Sequence, residues 1–96
     1  MPMKNPAHPG AMIKDDLAEL GLSTAEAAKG LCVTRQQLHN VISGRSAITP
    51  HMALHLEIGI GGTADHWLRM QAAYDLAQAR LRTGKLTVKR LAPKAA

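Results

Sequence analysis

The chain is poor in the residues that build aromatic cores and disulfide frameworks. Its 96 residues include one Cys, one Trp, one Tyr and no Phe. A lone cysteine, Cys32, excludes an internal disulfide and suits a reducing compartment. Aliphatic side chains and Ala must therefore fill the core, and a single domain of this length buries only a modest one.

Long apolar runs and long alternating runs are absent as well. No run approaches the roughly 20 apolar residues of a membrane-spanning helix, and the opening MPMKNPAHPG lacks the apolar segment of a signal peptide. We therefore expect a cytoplasmic protein that contacts no membrane. The lack of strand-like alternation favours an all-α class.

Acidic residues are scarce in one part of the chain. Twelve Lys and Arg against seven Asp and Glu give a net charge of +5, which favours a polyanionic partner. Between Glu26 and Glu57 there is no Asp or Glu, while six Lys, Arg and His residues fall there: Lys29, Arg35, His39, Arg45, His51 and His55. A solvated basic face is the alternative reading of this interval.

The stretch STAEAAKGLCVTRQQLHNVISG predicts two short helices joined by a tight corner. Ser23 with Glu26 fits the capping box, and Thr34 with Gln37 fits it again. Apolar positions repeat at helical spacing in both segments: Ala27, Ala28 and Leu31, then Leu38, Val41 and Ile42, with Val33 in the corner. Gly44 ends the second helix.

This pattern resembles the helix-turn-helix signature of phage-repressor-like DNA-binding proteins, carried by Ala28, Val33, Leu38 and Val41. Three further segments look like the HigA-type antitoxins of bacterial toxin–antitoxin modules: NPAHPG from Asn5, SGRSAITPHMALHLE from Ser43 and ADHWLRMQAAYDLAQA from Ala64. The resemblance implies a dimer that represses its own operon from a palindromic operator in double-stranded DNA. It also implies a small ribonuclease toxin of the HigB type as a partner.

The predicted organisation is a five-helix phage-repressor-like domain between two short termini. The lead covers residues 1–8, the helix-turn-helix domain 9–82 and a basic tail 83–96, with the motif at 23–44 and the recognition helix at 34–43. Pro9 and Pro50 suit first helical positions. The fourth helix is expected to bury Ala53, Leu56 and Ile60, with Leu54 and Ile58 near that face. The tail is either disordered or a short strand, and it is the only unassigned candidate for toxin contact.

The second motif helix supplies the candidate base-reading residues. In a helix-turn-helix, the start of this helix meets base edges in the major groove. Because its apolar residues must face the core, four side chains are left outward: Arg35, Gln36, His39 and Asn40. Arg pairs with guanine, and Gln or Asn with adenine. Arg35 and Gln36 are the first candidates.

The resemblance further implies that Thr24, Ser43 and Arg45 contact DNA phosphates. Thr34 is a fourth candidate for such a contact, although its capping role alone would explain its presence. Thr24 and Cys32 stand where these repressors usually have Gln and Gly. A left-handed backbone at Cys32 would be strained by roughly 1–2 kcal/mol. DNA binding weaker than in relatives is therefore expected.

Two alternative functions stay open. One is a protein-interaction module that has lost DNA binding, and the other is a freestanding regulator without a toxin.

The fifth helix carries two apolar stripes, and a small domain covers only one. The first contains Trp67, Gln71, Tyr74, Ala77 and Leu81. The second contains Leu68, Ala72, Leu76 and Ala79, and we predict that it forms a two-fold dimer interface. Burial within the monomer is the alternative.

No motif demands a cofactor, a metal or catalysis. His51 and His55 have the spacing of two zinc ligands, but position 52 is Met and no catalytic Glu is present. We expect these histidines to be exposed or phosphate-facing. Cys32 has no His fixed to it by sequence, so the chain is predicted not to be an enzyme.

Overall fold

The computed structural model describes residues 6–95, and within them the fold consists of five helices and no strands. Residues 1–5, which include Asn5 and most of the predicted lead, and residue 96 lie outside the described part. The helices are α1 (Pro9–Leu20), α2 (Thr24–Leu31), α3 (Arg35–Ile42), α4 (Pro50–Gly59) and α5 (Ala64–Thr83). The predicted all-α, five-helix class is confirmed.

Both predicted capping boxes are present. Ser23 Oγ accepts from the Glu26 N–H at 3.1 Å, and Glu26 Oε1 accepts from the Ser23 N–H at 3.0 Å. The same reciprocal pair joins Thr34 and Gln37 at 3.0 and 2.8 Å. Each box satisfies two N–H groups that a helix start leaves unpaired. These side chains therefore set where α2 and α3 begin.

The corner between α2 and α3 is left-handed at Cys32, with φ 58° and ψ 40°. Cys32 is the one non-glycine residue with positive φ among residues 6–95. Its N–H bonds to the Lys29 carbonyl, and the Val33 N–H bonds to the Ala28 carbonyl at 3.1 Å. The condition for the expected strain at this position is therefore met.

The core is aliphatic, as the composition requires. Its centre is formed by Ile13, Leu38 and Leu56, none of them exposed to solvent, and Trp67 brings α5 onto the same cluster. Gly10 lets α1 approach the end of α3 closely, because a Cβ there would collide with the carbonyls of Val41 and Ile42. α1 thus supports α3 from its inner side.

The prediction for the face of α4 was wrong in part. Leu54 is 53% exposed and Ile58 is 87% exposed, so neither lies against the core. Met52 is buried on the inner face of α4 instead, and Ile48, in the loop before α4, joins the same core cluster. α4 is apolar on most sides, so periodicity alone does not select its buried face.

After α5, residues 84–95 form neither helix nor strand and are exposed throughout. The short strand considered for Leu86 to Arg90 is therefore not formed. Within the described residues, no helix is both long enough and apolar enough to cross a membrane.

Candidate nucleic-acid interface

The four predicted base readers lie on the outer side of α3. Arg35, Gln36 and His39 are exposed and Asn40 is half-buried. On the inner side, Leu38 and Val41 are buried in the core. Because α2, α1 and the core hold that inner side, the outward side chains sit on a fixed support.

Two of these side chains are joined to each other. Gln36 Nε2 donates to Asn40 Oδ1 at 2.8 Å, one helical turn apart. The pair still offers the Gln36 carbonyl oxygen as an acceptor and the Asn40 amide nitrogen as a donor. Adenine presents the complementary donor and acceptor, N6 and N7, in the major groove. The hydrogen bond fixes the two amides relative to each other.

The main chain of Asn40 makes contacts that the sequence did not predict. Its main-chain carbonyl accepts from the N–H of Arg45 at 2.9 Å, from the N–H of Ser46 at 3.0 Å and from Ser43 Oγ at 3.2 Å. One carbonyl thus holds the loop that follows α3. This contact fixes where Ser43 and Arg45 leave the helix end.

The four candidate phosphate-contacting side chains differ in their exposure and in the hydrogen bonds that they already make. Arg45 is exposed, whereas Thr24 is half-buried at the start of α2. Thr34 Oγ1 already accepts from Gln37 N–H, which leaves its hydroxyl proton to donate. Ser43 Oγ donates to the Asn40 carbonyl and must release it before donating to a phosphate. Arg45 is the least encumbered of the four.

His51 and His55 are not two free surface histidines. His55 is half-buried, and its Nδ1 lies 2.6 Å from the Leu31 carbonyl at the end of α2. Its Nε2 lies 3.1 Å from His51 Nε2. His55 therefore caps a carbonyl at the end of α2, and His51 contacts only His55 in this pair. Among residues 6–95 no group of three metal-ligating side chains occurs.

The two stripes of α5 have different surroundings. Trp67 is buried and its Nε1 donates to the Gly61 carbonyl at 3.0 Å. In the second stripe Leu68 is half-buried, while Ala72, Leu76 and Ala79 are exposed, Leu76 by 51%. The protomer leaves most of the second stripe uncovered, and its role as an interface stays a prediction.

Two polar side chains tie α5 to the body of the domain. Gln71 is 4% exposed; its Oε1 accepts from Ile48 N–H at 2.8 Å and its Nε2 donates to Asp75 at 2.9 Å. His8 accepts from Gly10 N–H at the start of α1 and packs edge-on against the Tyr74 ring. Burial lowers the pKa of His8, against smaller opposing effects of Asp75 and Ser46. Only the hydrogen-bonding capacity of Gln71 on an apolar stripe hinted at these contacts.

Comparison with known proteins gives the class. The chain belongs to the helix-turn-helix family, whose profile matches residues 13–67, from α1 into the start of α5. A virulence-associated protein A' of Dichelobacter nodosus is 47% identical over 79% of this chain and 67% of its own length. An uncharacterized HTH-type transcriptional regulator, YddM, of Escherichia coli is 35% identical over 82% and 84%.

Several of the solved structures that this chain resembles are antitoxins. The antitoxin GraA matches with a TM-score of 0.86 and 33% identity, covering 91% of this chain and 98% of that one. A HigA-family antidote protein from Coxiella burnetii gives 0.83 and 32%, covering 94% and 99%. Pseudomonas aeruginosa HigA, solved with the higBA promoter, gives 0.76 and 29%, covering 80% and 85%.

These matches confirm the resemblance drawn from the sequence. The chain is a helix-turn-helix regulator of the HigA antitoxin type, and its relatives are regulators and antitoxins rather than enzymes. The prediction that it is not an enzyme is confirmed by that membership.

Proposed function

We propose that the chain is an antitoxin that binds its own promoter through α3 and represses the operon. The observation that carries this proposal is the outer side of α3, where Arg35, Gln36, His39 and Asn40 point away from a buried inner side. No acid falls between Glu26 and Glu57, so phosphates can approach this segment without repulsion from its own side chains. The likeness to a HigA solved with promoter DNA supports the same reading.

The proposed DNA-binding species is a homodimer on a palindromic operator. Helix-turn-helix dimers place two recognition helices about one DNA turn apart, so a two-fold protein reads a two-fold site. The second stripe of α5, formed by the half-buried Leu68 and the exposed Ala72, Leu76 and Ala79, is the proposed interface. The same face on both copies meets in such a dimer.

The second proposed activity is neutralisation of a ribonuclease toxin of the HigB type. The support is the likeness to the antitoxins named above. The alternative is a freestanding regulator without a toxin, which is compatible with the description of YddM as a transcriptional regulator. The two differ in whether the product of a neighbouring gene forms a complex with this chain.

DNA binding is tested by fluorescence anisotropy with a duplex covering the gene's own promoter. Affinity should fall as salt rises, because neutralising phosphates releases counterions. A scrambled duplex of the same length is the control. Equal affinity for both duplexes at all salt concentrations would contradict the proposal.

Toxin binding is tested by co-expressing the chain with the product of the adjacent reading frame. Co-elution on size exclusion, with rescue of cell growth, is the expected result for an antitoxin. Separate elution together with normal promoter binding would leave the freestanding regulator.

A further inference from the structure

An apolar groove lies on the surface where α1, α2 and the turn between α4 and α5 meet. One part has a volume of about 330 Å³ and a second part about 140 Å³. Leu20 and Ile60 line both parts, so the two adjoin at these side chains, and the name groove covers both. Its edge carries exposed apolar side chains, with Met12 45% and Leu20 58% exposed.

This groove is acidic although the protein is basic. Asp16 and Glu19 line the larger part and Glu26 lines the smaller one. His66 is the one basic side chain among the lining residues, and no Lys or Arg lines either part. The Ser23 N–H donates to the Glu26 carboxylate and lowers its pKa, which keeps the charge in place. Three of the seven acids of the chain thus gather at a site that none of the proposed DNA contacts lines.

The tail after α5 has the complementary character. Lys85, Lys89 and Arg90 alternate with Leu86, Val88 and Leu91, and no acid follows Asp75. Its apolar side chains have nothing to pack against in the protomer, since Val88 is 82% and Leu91 95% exposed. An extended basic segment with apolar anchors matches the charge and the apolar edge of the groove.

The charges of α5 indicate how two copies would pair. Asp65 lies in the first turn and Arg80 and Arg82 in the last turn. Antiparallel packing of two α5 helices brings these opposite charges together, whereas parallel packing brings like charges together. The antiparallel arrangement is therefore favoured.

This pairing brings the tail of one copy to the groove of the other. A two-fold axis through the middle of the stripe from Leu68 to Ala79 sets Gly84 beside roughly residue 63 of the second copy. The residues around position 63, Gly62 and Trp67 among them, line the groove. Within one chain, by contrast, the tail leaves the far end of a helix about 30 Å long and would have to reverse direction.

We propose that in the dimer the tail of each copy, residues 84–95, docks in the acidic groove of the other. Lys and Arg of the tail face Asp16, Glu19 and Glu26, and Leu86, Val88 or Leu91 fills the apolar floor. The docked tails strap the two protomers together. This inference rests on the proposed α5 dimer and adds a second contact to it.

Limited digestion with trypsin tests the docking, because the tail holds Lys85, Lys89 and Arg90 as cleavage sites. Cleavage of a docked segment follows the small fraction that is undocked. Release of tail fragments, followed by mass spectrometry, should be about tenfold faster in Glu19→Lys than in the wild type. Asp15→Lys is the matched control, being exposed on the same helix but outside the groove, and it should digest like the wild type.

Sedimentation of the same three proteins separates the two possible failures. If all three proteins are dimers and their tails are cleaved at the same rate, the docking is wrong but the α5 dimer is retained. The groove would then be open to another protein. A monomeric wild type would overturn the dimer and the docking together.

A cross-link distinguishes docking between copies from docking within one chain. In a Cys32→Ser background, a protein carrying Leu86→Cys is mixed with a mass-tagged one carrying Glu19→Cys and oxidised gently. A mixed covalent dimer is the expected product. Replacing Glu19→Cys by Asp15→Cys should reduce its yield severalfold, and equal yields would contradict the inference.

Discussion

The α2–α3 motif and helix α5 are built on opposite principles. In the motif, two capping boxes pair the N–H groups at the helix starts, and Leu38 and Val41 are buried in the core. All of these contacts form within one protomer. α5 has 20 residues, yet only Trp67 and Gln71 along it are buried. The motif is locally complete, whereas α5 presents an apolar stripe that the protomer leaves open.

In the proposed function, this difference separates the part that binds DNA from the part that forms the dimer. α3 is held in place by α1 and α2 whatever the oligomeric state. The exposed stripe of α5 can be buried only by another molecule. Stability of the motif and assembly through α5 should therefore respond to different substitutions.

The largest expected effect is at the centre of the motif. Leu38 has no exposed surface, so Leu38→Ala leaves a cavity and should lower the free energy of unfolding by about 3 kcal/mol. Leu76→Ala, at a site that is 51% exposed, should cost the monomer well under about 1 kcal/mol. Urea unfolding at low protein concentration measures both. Equal losses would remove the contrast between the two regions.

The next effect concerns assembly. Ala72→Asp places a charge in the proposed interface and should raise the dimer dissociation constant about a hundredfold, since a buried unpaired carboxylate is costly. Ala73→Asp is the control, because Ala73 is exposed on the same helix but off the stripe. Sedimentation equilibrium measures the two constants. An unchanged dissociation constant for Ala72→Asp would show that the dimer interface lies elsewhere on the protein.

A smaller effect is expected at the corner of the motif. Cys32 has φ 58°, a left-handed conformation that is strained for any residue with a Cβ. Cys32→Gly should therefore raise the unfolding free energy by up to about 1 kcal/mol, despite the entropic cost of glycine. Cys32→Ala keeps the Cβ and should show no such gain. Thermal unfolding of the two variants decides between them. A loss in Cys32→Gly would mean that the corner holds no strain.

The smallest effect is a pH dependence at the contact between α1 and α5. Burial lowers the pKa of His8, so the folded state binds its proton less readily than the unfolded one. The stabilisation is present above the ordinary pKa of about 6.5 and is lost as the pH falls through the lowered value. His8→Asn keeps a capping acceptor but cannot titrate. Melting temperatures should fall less in this variant between pH 8 and pH 5, and identical pH profiles would contradict the assignment.

Local patterns carried much of the fold. Ser23 with Glu26 and Thr34 with Gln37 are short-range pairs, so their spacing alone predicted where α2 and α3 start. The inward positions of α3 followed from its period, and so did the outward positions of the candidate base readers. At Cys32 the sequence predicted only that a left-handed corner would be strained; that the backbone there is left-handed comes from the structure.

Long-range contacts could not be read in the same way. Gln71 bonds to Ile48 across 23 residues and His55 to Leu31 across 24, and no local pattern encodes such partners. The exposure of Leu54 and Ile58 depends on which face of an apolar helix meets α2. The sequence therefore predicted the elements and the candidate DNA face, but not what fastens α4 and α5 to them.

The most direct test compares Arg35→Ala and Arg45→Ala on the promoter duplex and on a scrambled duplex. If α3 reads bases, Arg35→Ala should lose about 1–3 kcal/mol of preference for the promoter, with little loss on the scrambled duplex. Arg45→Ala should weaken both duplexes alike, because phosphate contacts carry little sequence information. Wild-type affinity and preference in both variants would show that this face of α3 does not bind DNA.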